Sequence, residues 1–382
     1  MFLQNVYIRV INSTVMIIGV PKECKNNEYR VGLMPHQIAM LSKKHQLLVQ
    51  QDAGVGSGFS DKDYVASGAT IVPKRSDVYA QAELIVKVKE PLPEEYPLIQ
   101  PNQCIFTYFH FASSLSLTQA MMESGACCVA YETIEDDQGH LPLLTPMSAV
   151  AGRLAGQQAA KYLEMPQGGP GVLIGGVLDV PPAKILVLGG GIVGTQAAEV
   201  MVGMGADVFI FDINKNRLEA LESYFDGKIT AVESTTATIR QHLPTADAVI
   251  GAVLVKGAKA PKLITREMLA DLRPKSILVD VAVDQGGCFE TTKPTTHAQP
   301  IYEVDGIVHY AVANMPGAVP RTSTHALTNA TFPYVAQLAQ TPLAELPSLF
   351  LKGVNVYKGE ITNPEVANAF GIPYTPLENI LI

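Results

Sequence analysis

Four polar side chains of this sequence stand where predicted buried strands end, and together they have the chemistry of a proton-transfer site. Arg30 lies in a polar loop, and its planar guanidinium suits bidentate binding of a carboxylate. Lys89 and His110 each close an apolar strand, and Asp284 follows a third one. Because ligands collect at the carboxyl ends of parallel strands, these residues predict a site for a small anionic substrate.

Each of these residues also has an ordinary structural interpretation. Spacing alone favours a surface arginine at Arg30, and extension to solvent is a fair alternative for Lys89. Histidine titrates near neutrality, so catalytic and structural roles weigh equally for His110. Asp284 is alternatively the cap of the next turn, and Asp280, inside the same strand, is read as structural. The residues by themselves leave these alternatives open.

A glycine-rich turn predicts a dinucleotide site. Residues 189–194 fit the pattern G-x-G-x-x-G between an apolar strand and a helical stretch. Gly189 permits the tight turn, Gly191 lets the backbone approach a pyrophosphate, and Gly194 permits close packing. Asp212 ends the following strand, where a carboxylate binds a ribose and repels a 2′-phosphate, which predicts NAD. The alternative is a structural turn with Asp212 as a helix cap.

Weaker candidates surround this motif. Arg217 has two interpretations of equal weight, a contact with the adenosine and a solvated helix residue. Asn314 and Met315 follow a strand and suit the nicotinamide end, and Ser148 begins a linking helix where it suits a phosphate or ribose. For each of these three, a cap or packing role is an equal alternative.

The elements that carry these residues predict an α/β fold with two Rossmann-like domains, mainly parallel sheets and a cleft between the domains. We expect a discontinuous substrate domain over 16–145 and 321–382, an NAD-binding domain over 146–320, and an extension over 1–15. The tail reads as mostly helical and is expected to pack on the first domain. Strands are predicted over 16–21, 47–51, 83–89, 104–109, 127–132, 183–188, 207–211, 246–253, 276–283 and 307–312.

Composition narrows the functional classes. The 382 residues are 47% hydrophobic and 17% charged, with a net charge of −8, which argues against a nucleic-acid partner. The five cysteines are odd in number and lack C-x-x-C spacing, so we expect buried thiols, no metal site and a reducing, cytoplasmic setting. No stretch has the length of a membrane span or the pattern of a signal peptide.

Taken together, the segments resemble bacterial alanine dehydrogenases, from about Met16 to the C-terminus. The resemblance is carried by GVPKECKNNEYRV from Gly19, KVKEP from Lys87, YET from Tyr131, PMS from Pro146, GAVLVKGAKAPKL from Gly251, DVAVDQGGCFE from Asp280 and VANMP from Val312. Two departures are the N-terminal extension and the stretch from Leu33 to His36, which we expect to alter a helix start.

The resemblance implies reversible oxidative deamination of L-alanine to pyruvate and ammonium, with NAD as the cofactor and a homohexamer as the assembly. It implies that Arg30 and Lys89 bind the substrate and that His110 and Asp284 are catalytic. His110, assisted by Asp284, would activate the water that adds to the imine left by hydride transfer. The cofactor positions implied, beyond the glycine turn with Ile192 and Val193, are Ser148, Asp212, Arg217, Ser234, Val253, Leu254, Val281, Ala282, Val283, Asn314 and Met315.

Three other functions stay open at this point. The soluble subunit of a proton-pumping transhydrogenase shares such segments, but that family generally lacks a residue like His110 and an acid like Asp284. A dehydrogenase of another amino acid and a non-catalytic NAD sensor are the other two. An assay of NADH formation with alanine and a panel of amino acids separates all of these.

Overall fold

The computed structural model describes residues 15–253 and 260–381. It divides the chain into two units, one formed by the described residues up to Leu144 together with those from Pro320 onward, the other by Thr145–Val319. Most of the expected N-terminal extension lies outside the described residues. Within the described ranges, no helix has the length and apolar character needed to cross a membrane.

The first stretch of the chain alternates strands and helices, as expected for parallel pairing. Its strands are β1 (Ile17–Val20), β2 (Gln46–Gln50), β3 (Thr70–Val72), β4 (Leu84–Val86), β5 (Cys104–Thr107) and β6 (Cys127–Ala130). Its helices are α1 (Pro35–Leu41), α2 (Asp61–Ala66), α3 (Arg75–Gln81) and α4 (Leu115–Ser124). Met34 is the N-cap of α1, and Pro35 is its first residue. Proline's fixed φ favours this first helical position.

The second unit repeats this alternation. Its strands are β7 (Lys184–Leu188), β8 (Asp207–Asp212), β9 (Thr230–Glu233), β10 (Ala248–Gly251), β11 (Ile277–Asp280), β12 (Ile301–Val304) and β13 (Ile307–Tyr310). Its helices are α5 (Thr145–Tyr162), α6 (Ile192–Gly203), α7 (Lys215–Tyr224) and α8 (Thr236–His242). The described strands form a sheet in the order β12-β13-β11-β10-β7-β8-β9, parallel except for the β12–β13 pair.

The tail returns to the first unit. Helix α9 (Pro320–Gln340) leads to α10 (Ser348–Leu351), β14 (Val354–Tyr357), β15 (Glu360–Ile361) and α11 (Pro364–Phe370). Strand β14 pairs antiparallel with β6, which gives the described strands of this sheet the order β15-β14-β6-β5-β4-β1-β2-β3. The expectation of a mostly helical tail therefore missed a hairpin, because two short strands next to helices leave little periodicity to read.

The central strands of both sheets are fully buried, which explains their continuous apolar composition. Ile85 and Ile105 lie in the core of the first unit with Val356 of the tail. Leu186 and Leu278 lie in the core of the second unit. The predicted α/β class with two mainly parallel sheets is confirmed. Most of the predicted strands are shorter in the structure, but β2 keeps its predicted length and β8 is one residue longer. Strands β3, β9 and β12 were not predicted.

Candidate active site

Strand order brings three of the predicted site residues to neighbouring places in the first unit. The loop with Arg30 follows β1, Lys89 follows β4 and His110 follows β5. These three strands are adjacent and parallel, so their carboxyl ends meet at one edge of the sheet. The Arg30 loop lies directly on the end of β4, since a Cβ added at Gly32 would come within 2.6 Å of the Val86 carbonyl oxygen.

Arg30 is not the surface arginine that spacing favoured, because only 2% of it is exposed. The buried carboxylate of Glu28 accepts from its Nε at 2.7 Å and from its Nη2 at 2.6 Å, a bidentate arrangement. Burial alone would lower the pKa of Arg30, but the charge of Glu28 outweighs it and raises the pKa. The guanidinium is thus held charged, at a fixed orientation.

Lys89 is buried and its backbone is fixed on both sides. Its carbonyl oxygen accepts from the Thr107 hydroxyl at 2.9 Å, which ties it to β5. Glu23 accepts the N–H of Val88 at 2.7 Å and that of Lys89 at 3.4 Å. The loop after β1 therefore reaches across and holds the turn that presents Lys89.

Lys87 has a structural role distinct from that of Lys89. It lies beyond the end of β4, is fully buried, and donates to Glu23 at 3.3 Å and to Glu95 at 3.0 Å. Although burial works against its charge, these carboxylates and Tyr79 raise the pKa of Lys87. Such a buried network fixes Glu23, and through Glu23 it fixes the turn with Lys89.

His110 has a left-handed backbone, with φ 52° and ψ 43°, a conformation that is uncommon outside glycine. Glu132, at the end of β6, stabilises it by accepting the N–H of His110 at 2.5 Å and that of Phe109 at 3.2 Å. The imidazole stacks on Tyr108 with 5.7 Å between ring centroids and an interplanar angle of 8°. Backbone strain of this kind clusters at functional sites.

Desolvation and, after it, nearby positive charges favour the neutral form of the His110 ring. Desolvation by the surrounding protein, followed by the positive charges of Lys89, Lys25 and Arg30, lowers the pKa of His110 to about 3. The residue is nevertheless exposed. Burial raises the pKa of neighbouring Glu132 to about 7, against the opposing effect of its backbone hydrogen bonds and Lys89.

In the second unit the glycine turn has the geometry that a pyrophosphate needs. Gly189 has φ 106°, which a side chain would disfavour. A Cβ at Gly194 would lie 1.8 Å from the Gly189 carbonyl oxygen, so this position packs tightly. A Cβ at Gly191 would have no atom of another described residue within 4 Å apart from its chain neighbours, so the described protein leaves space at the N-terminus of α6. A dinucleotide phosphate fits this arrangement.

Asp212 and Arg217 both form hydrogen bonds with Gly190 in this turn. Asp212 accepts the N–H of Gly190 at 2.8 Å, and Arg217 donates from Nε to the Gly190 carbonyl oxygen at 2.7 Å. Arg217 also donates to the Thr195 hydroxyl at 2.8 Å. Neither residue is a purely solvated side chain, and Asp212 caps no helix, since the N-cap of α7 is Asn214.

The other predicted cofactor residues of the second unit mostly follow the carboxyl ends of its strands. Ser234 follows β9, Val253 follows β10, Val281–Val283 follow β11, and Asn314 with Met315 follows β13. Ser148 lies in the first turn of α5, half-buried. Leu254 lies outside the described residues. Six of the seven described strands, all but the antiparallel β12, thus have their carboxyl ends at one edge of this sheet, where open α/β folds bind nucleotides.

Asp284 is exposed and lies in the 3-10 turn Val283–Gln285, in the second unit. Asp280 is buried and hydrogen-bonded within that unit, so the structural interpretation of Asp280 is the one the geometry supports. All five cysteines are free thiols, but Cys24 and Cys104 are only half-buried, which corrects the expectation that all are buried. No group of three metal-ligating side chains occurs in residues 15–253 or 260–381.

Three functional carboxylates escaped the sequence reasoning: Glu23, Glu28 and Glu132. Each orients one of the predicted site residues rather than reacting itself. Their position in the sequence could have indicated this role, because Glu23 and Glu28 lie in the motif from Gly19 and Glu132 lies in the motif from Tyr131. Each of these motifs lies near the end of a buried strand. A buried carboxylate there needs a partner, and donors from Arg30, Lys89 or His110, or from their chain neighbours, are close to each one.

Two family models together match most of the chain. The family model "Alanine dehydrogenase/PNT, N-terminal domain" matches residues 19–151, and "Alanine dehydrogenase/PNT, C-terminal domain" matches residues 155–364. Alanine dehydrogenase of Halomonas elongata is 51% identical over 371 residues, which are 96% of this chain and 100% of that protein. Alanine dehydrogenase of Methanococcus maripaludis is 48% identical over 372 residues, with the same shares of both chains.

Solved structures give the same result. A structure of L-alanine dehydrogenase is 50% identical, has a TM-score of 0.91, and is matched over 93% of this chain and 99% of its own. A transhydrogenase from Sinorhizobium meliloti is 24% identical with a TM-score of 0.79, over 91% of this chain and 99% of its own, which is a likeness of fold alone. The chain therefore belongs to the alanine dehydrogenase/PNT family.

Proposed function

We propose that this protein catalyses the reversible, NAD-dependent oxidative deamination of L-alanine to pyruvate and ammonium. The first unit takes the substrate and the second takes the cofactor. The observation that carries the proposal is the row formed at the ends of β1, β4 and β5. The loops that carry the Arg30 guanidinium, the Lys89 ammonium and the unprotonated His110 imidazole follow neighbouring strands, and both cations act electrostatically on His110.

Substrate binding follows from the two fixed cations. Arg30 binds the substrate carboxylate, because its guanidinium is buried, charged and oriented by Glu28. Lys89 binds the substrate carbonyl oxygen, or the hydroxyl that precedes it, from the neighbouring strand. The cations cluster at the site, so an uncharged amine analogue of alanine without its carboxylate is expected to bind poorly.

Proton transfer belongs to His110. Its low pKa leaves the ring unprotonated at neutral pH. Nδ1 or Nε2 accepts a proton from the water that adds to the α-carbon of the imine, which forms when the substrate gives up its hydride. In the reverse direction the protonated ring returns this proton. We assign the assisting carboxylate to Asp284, which is exposed on its turn and accessible to solvent. Tyr108 supports the ring by stacking.

The family implies a nicotinamide cofactor, and we propose that it is NAD. The nicotinamide ring, when bound, supplies the acceptor for the hydride of the α-carbon. Gly191 and the first turn of α6 hold the pyrophosphate, and Asp212 holds the adenosine ribose. The chain is proposed to act in the cytoplasm, as a homohexamer, which sedimentation of the purified protein would measure.

One assay tests the proposed function. Reduction of NAD is followed at saturating alanine and then with serine, glycine, valine, glutamate and lysine. We expect the highest kcat/KM with alanine. Activity confined to another amino acid would replace the substrate. Absence of turnover with every amino acid, despite NADH binding, would favour a transhydrogenase subunit or a cofactor sensor instead.

Exchange of Asp212 for serine is expected to weaken the preference for NAD over NADP. The substitution removes the carboxylate that repels a 2′-phosphate, while Arg217 remains beside Gly190. The ratio of kcat/KM for NAD to that for NADP should fall by about 10-fold to 10²-fold, since a hydrogen bond to a charged group contributes about 1.5–3 kcal/mol. Asp179→Ser, at an exposed loop position of the same unit, is the control and should leave the ratio unchanged.

The pH dependence of kcat/KM is expected to report Glu132 rather than His110. The pKa of His110 is lowered to about 3, so its ring is already unprotonated throughout the range from pH 5.5 to 8.5. The pKa of Glu132 is raised to about 7, so its carboxylate forms as pH rises through 7 and then binds the N–H of His110 more strongly. We expect kcat/KM to rise through pH 7, and Glu132→Gln to remove this limb. A limb unchanged in that variant would assign it to another group.

A further inference from the structure

Residues 260–263 and the loop 285–289 of the second unit are joined by hydrogen bonds to every backbone carbonyl oxygen of that loop. The segment after the undescribed residues, 260–263, donates to five consecutive carbonyl oxygens of residues 285–289. Ala260 N–H binds that of Gln285 at 3.0 Å and Leu263 N–H binds that of Cys288 at 2.7 Å. The Lys262 ammonium binds the remaining three, those of Gly286, of Gly287 at 2.9 Å and of Phe289 at 3.1 Å.

An ammonium has three N–H donors and no acceptor, so three carbonyl oxygens match its hydrogen-bonding capacity. Lys262 is exposed, yet its charge is directed at the backbone of this loop rather than at a carboxylate. The ammonium of a surface lysine ordinarily donates its hydrogen bonds to water. The convergence of three carbonyl oxygens on Nζ indicates that this side chain stabilises the conformation of the loop from 285 to 289.

Asp280 binds the N–H groups of the same loop. Its buried carboxylate accepts the N–H of Ala282 at 3.0 Å, of Cys288 at 2.8 Å and of Phe289 at 3.3 Å, and also the Thr292 hydroxyl. Gly287 has φ 80°, and a Cβ there would lie 2.5 Å from the Asp280 carboxylate. The glycine therefore lets the loop close over Asp280.

Asp284 lies on the turn that these two charges fix. The turn Val283–Gln285 begins three residues after Asp280, and its last residue is the first of the five whose carbonyls are bound. The Asp280 carboxylate accepts from N–H groups of the loop, and the Lys262 ammonium donates to its carbonyl oxygens. Asp280 binds Ala282 and Lys262 binds Gly286, so the two charges hold the chain on either side of Asp284 in the sequence.

We propose that Lys262 is a positioning residue for Asp284. This inference rests on the proposed function, in which Asp284 assists proton transfer. Lys262 does not contact the substrate; it holds the loop so that the Asp284 carboxylate stays in one orientation. Misplacement of a reacting group by about 1 Å costs up to about 10²-fold in rate, so a loosened loop lowers turnover without changing binding.

The experiment compares Lys262→Met, Lys262→Arg and Lys293→Met in the full chain. Lys293 is an exposed lysine shortly after the loop, and its exchange is the control. Amide hydrogen exchange is measured in peptides spanning 281–290, together with kcat, KM for alanine and Kd for NADH. For Lys262→Met we expect faster exchange in these peptides and a kcat lowered about tenfold or more, with KM and Kd within about threefold of the wild type. Arginine should restore part of both losses.

Wild-type exchange and kcat in Lys262→Met would overturn the inference. So would a variant in which KM and Kd rise while kcat is unchanged, because the lysine would then serve binding. Asp284→Asn separates this inference from the proposed function. If Asp284→Asn keeps full turnover, the role of Asp284 fails and with it the catalytic part of this inference, whatever the exchange data show about the loop.

Discussion

Replacement of His110 by alanine is expected to lower kcat for alanine oxidation by about 10²-fold to 10⁴-fold, the range typical of a lost general base. The imidazole is unprotonated at neutral pH, the state that the proposed proton acceptor needs. The glycine turn lies in the other unit, so Kd for NADH should stay within about threefold of the wild type. Steady-state kinetics and fluorescence titration of NADH measure the two quantities.

A second variant separates the imidazole from its strained backbone. Alanine at φ 52° costs about 1–2 kcal/mol, whereas asparagine tolerates the left-handed region. His110→Asn should therefore unfold at nearly the wild-type denaturant concentration and still lose turnover. His36→Ala, at an exposed histidine of α1, is the control. Turnover near the wild-type value in His110→Asn would remove His110 from the mechanism.

The sequence predicted where the site residues lie because strand ends are encoded locally. The runs before Lys89 and His110 are mainly apolar, interrupted only by Lys87 and Thr107, and each run ends at a polar residue. Parallel strands place such ends at one edge of the sheet. Which ends become neighbours depends on the strand order β6-β5-β4-β1, and this order rests on contacts between distant segments.

Burial of Arg30 was not predictable for the same reason. A polar loop with two lysines and two asparagines reads as surface, and only the fold shows that Glu28 turns inward with Arg30. The hairpin β14–β15 is a similar case, since β14 is defined by pairing with β6 rather than by its own periodicity. The glycine turn and Asp212 were readable, because their geometry is fixed within one β-α-β unit.

Arg30 carries the other large expected effect, on stability as well as on substrate binding. Arg30→Met removes the guanidinium from a carboxylate whose side chain is fully buried. Loss of one partner of a buried ion pair costs about 3–5 kcal/mol, so the free energy of unfolding should fall by that amount. KM for alanine should rise about 10²-fold, since the substrate carboxylate loses its charged hydrogen bonds. Urea unfolding and steady-state kinetics measure the two effects.

The double variant Arg30→Met with Glu28→Gln tells these effects apart. Glutamine removes the buried negative charge, so most of the lost stability should return, whereas KM should stay high because the guanidinium is still absent. Lys352→Met is the control, since its ion pair with Glu135 is partly exposed and contributes little. A double variant with wild-type KM would show that Arg30 only neutralises Glu28. In that case the substrate carboxylate must be held by Lys89 or by another cation near His110, such as Lys25.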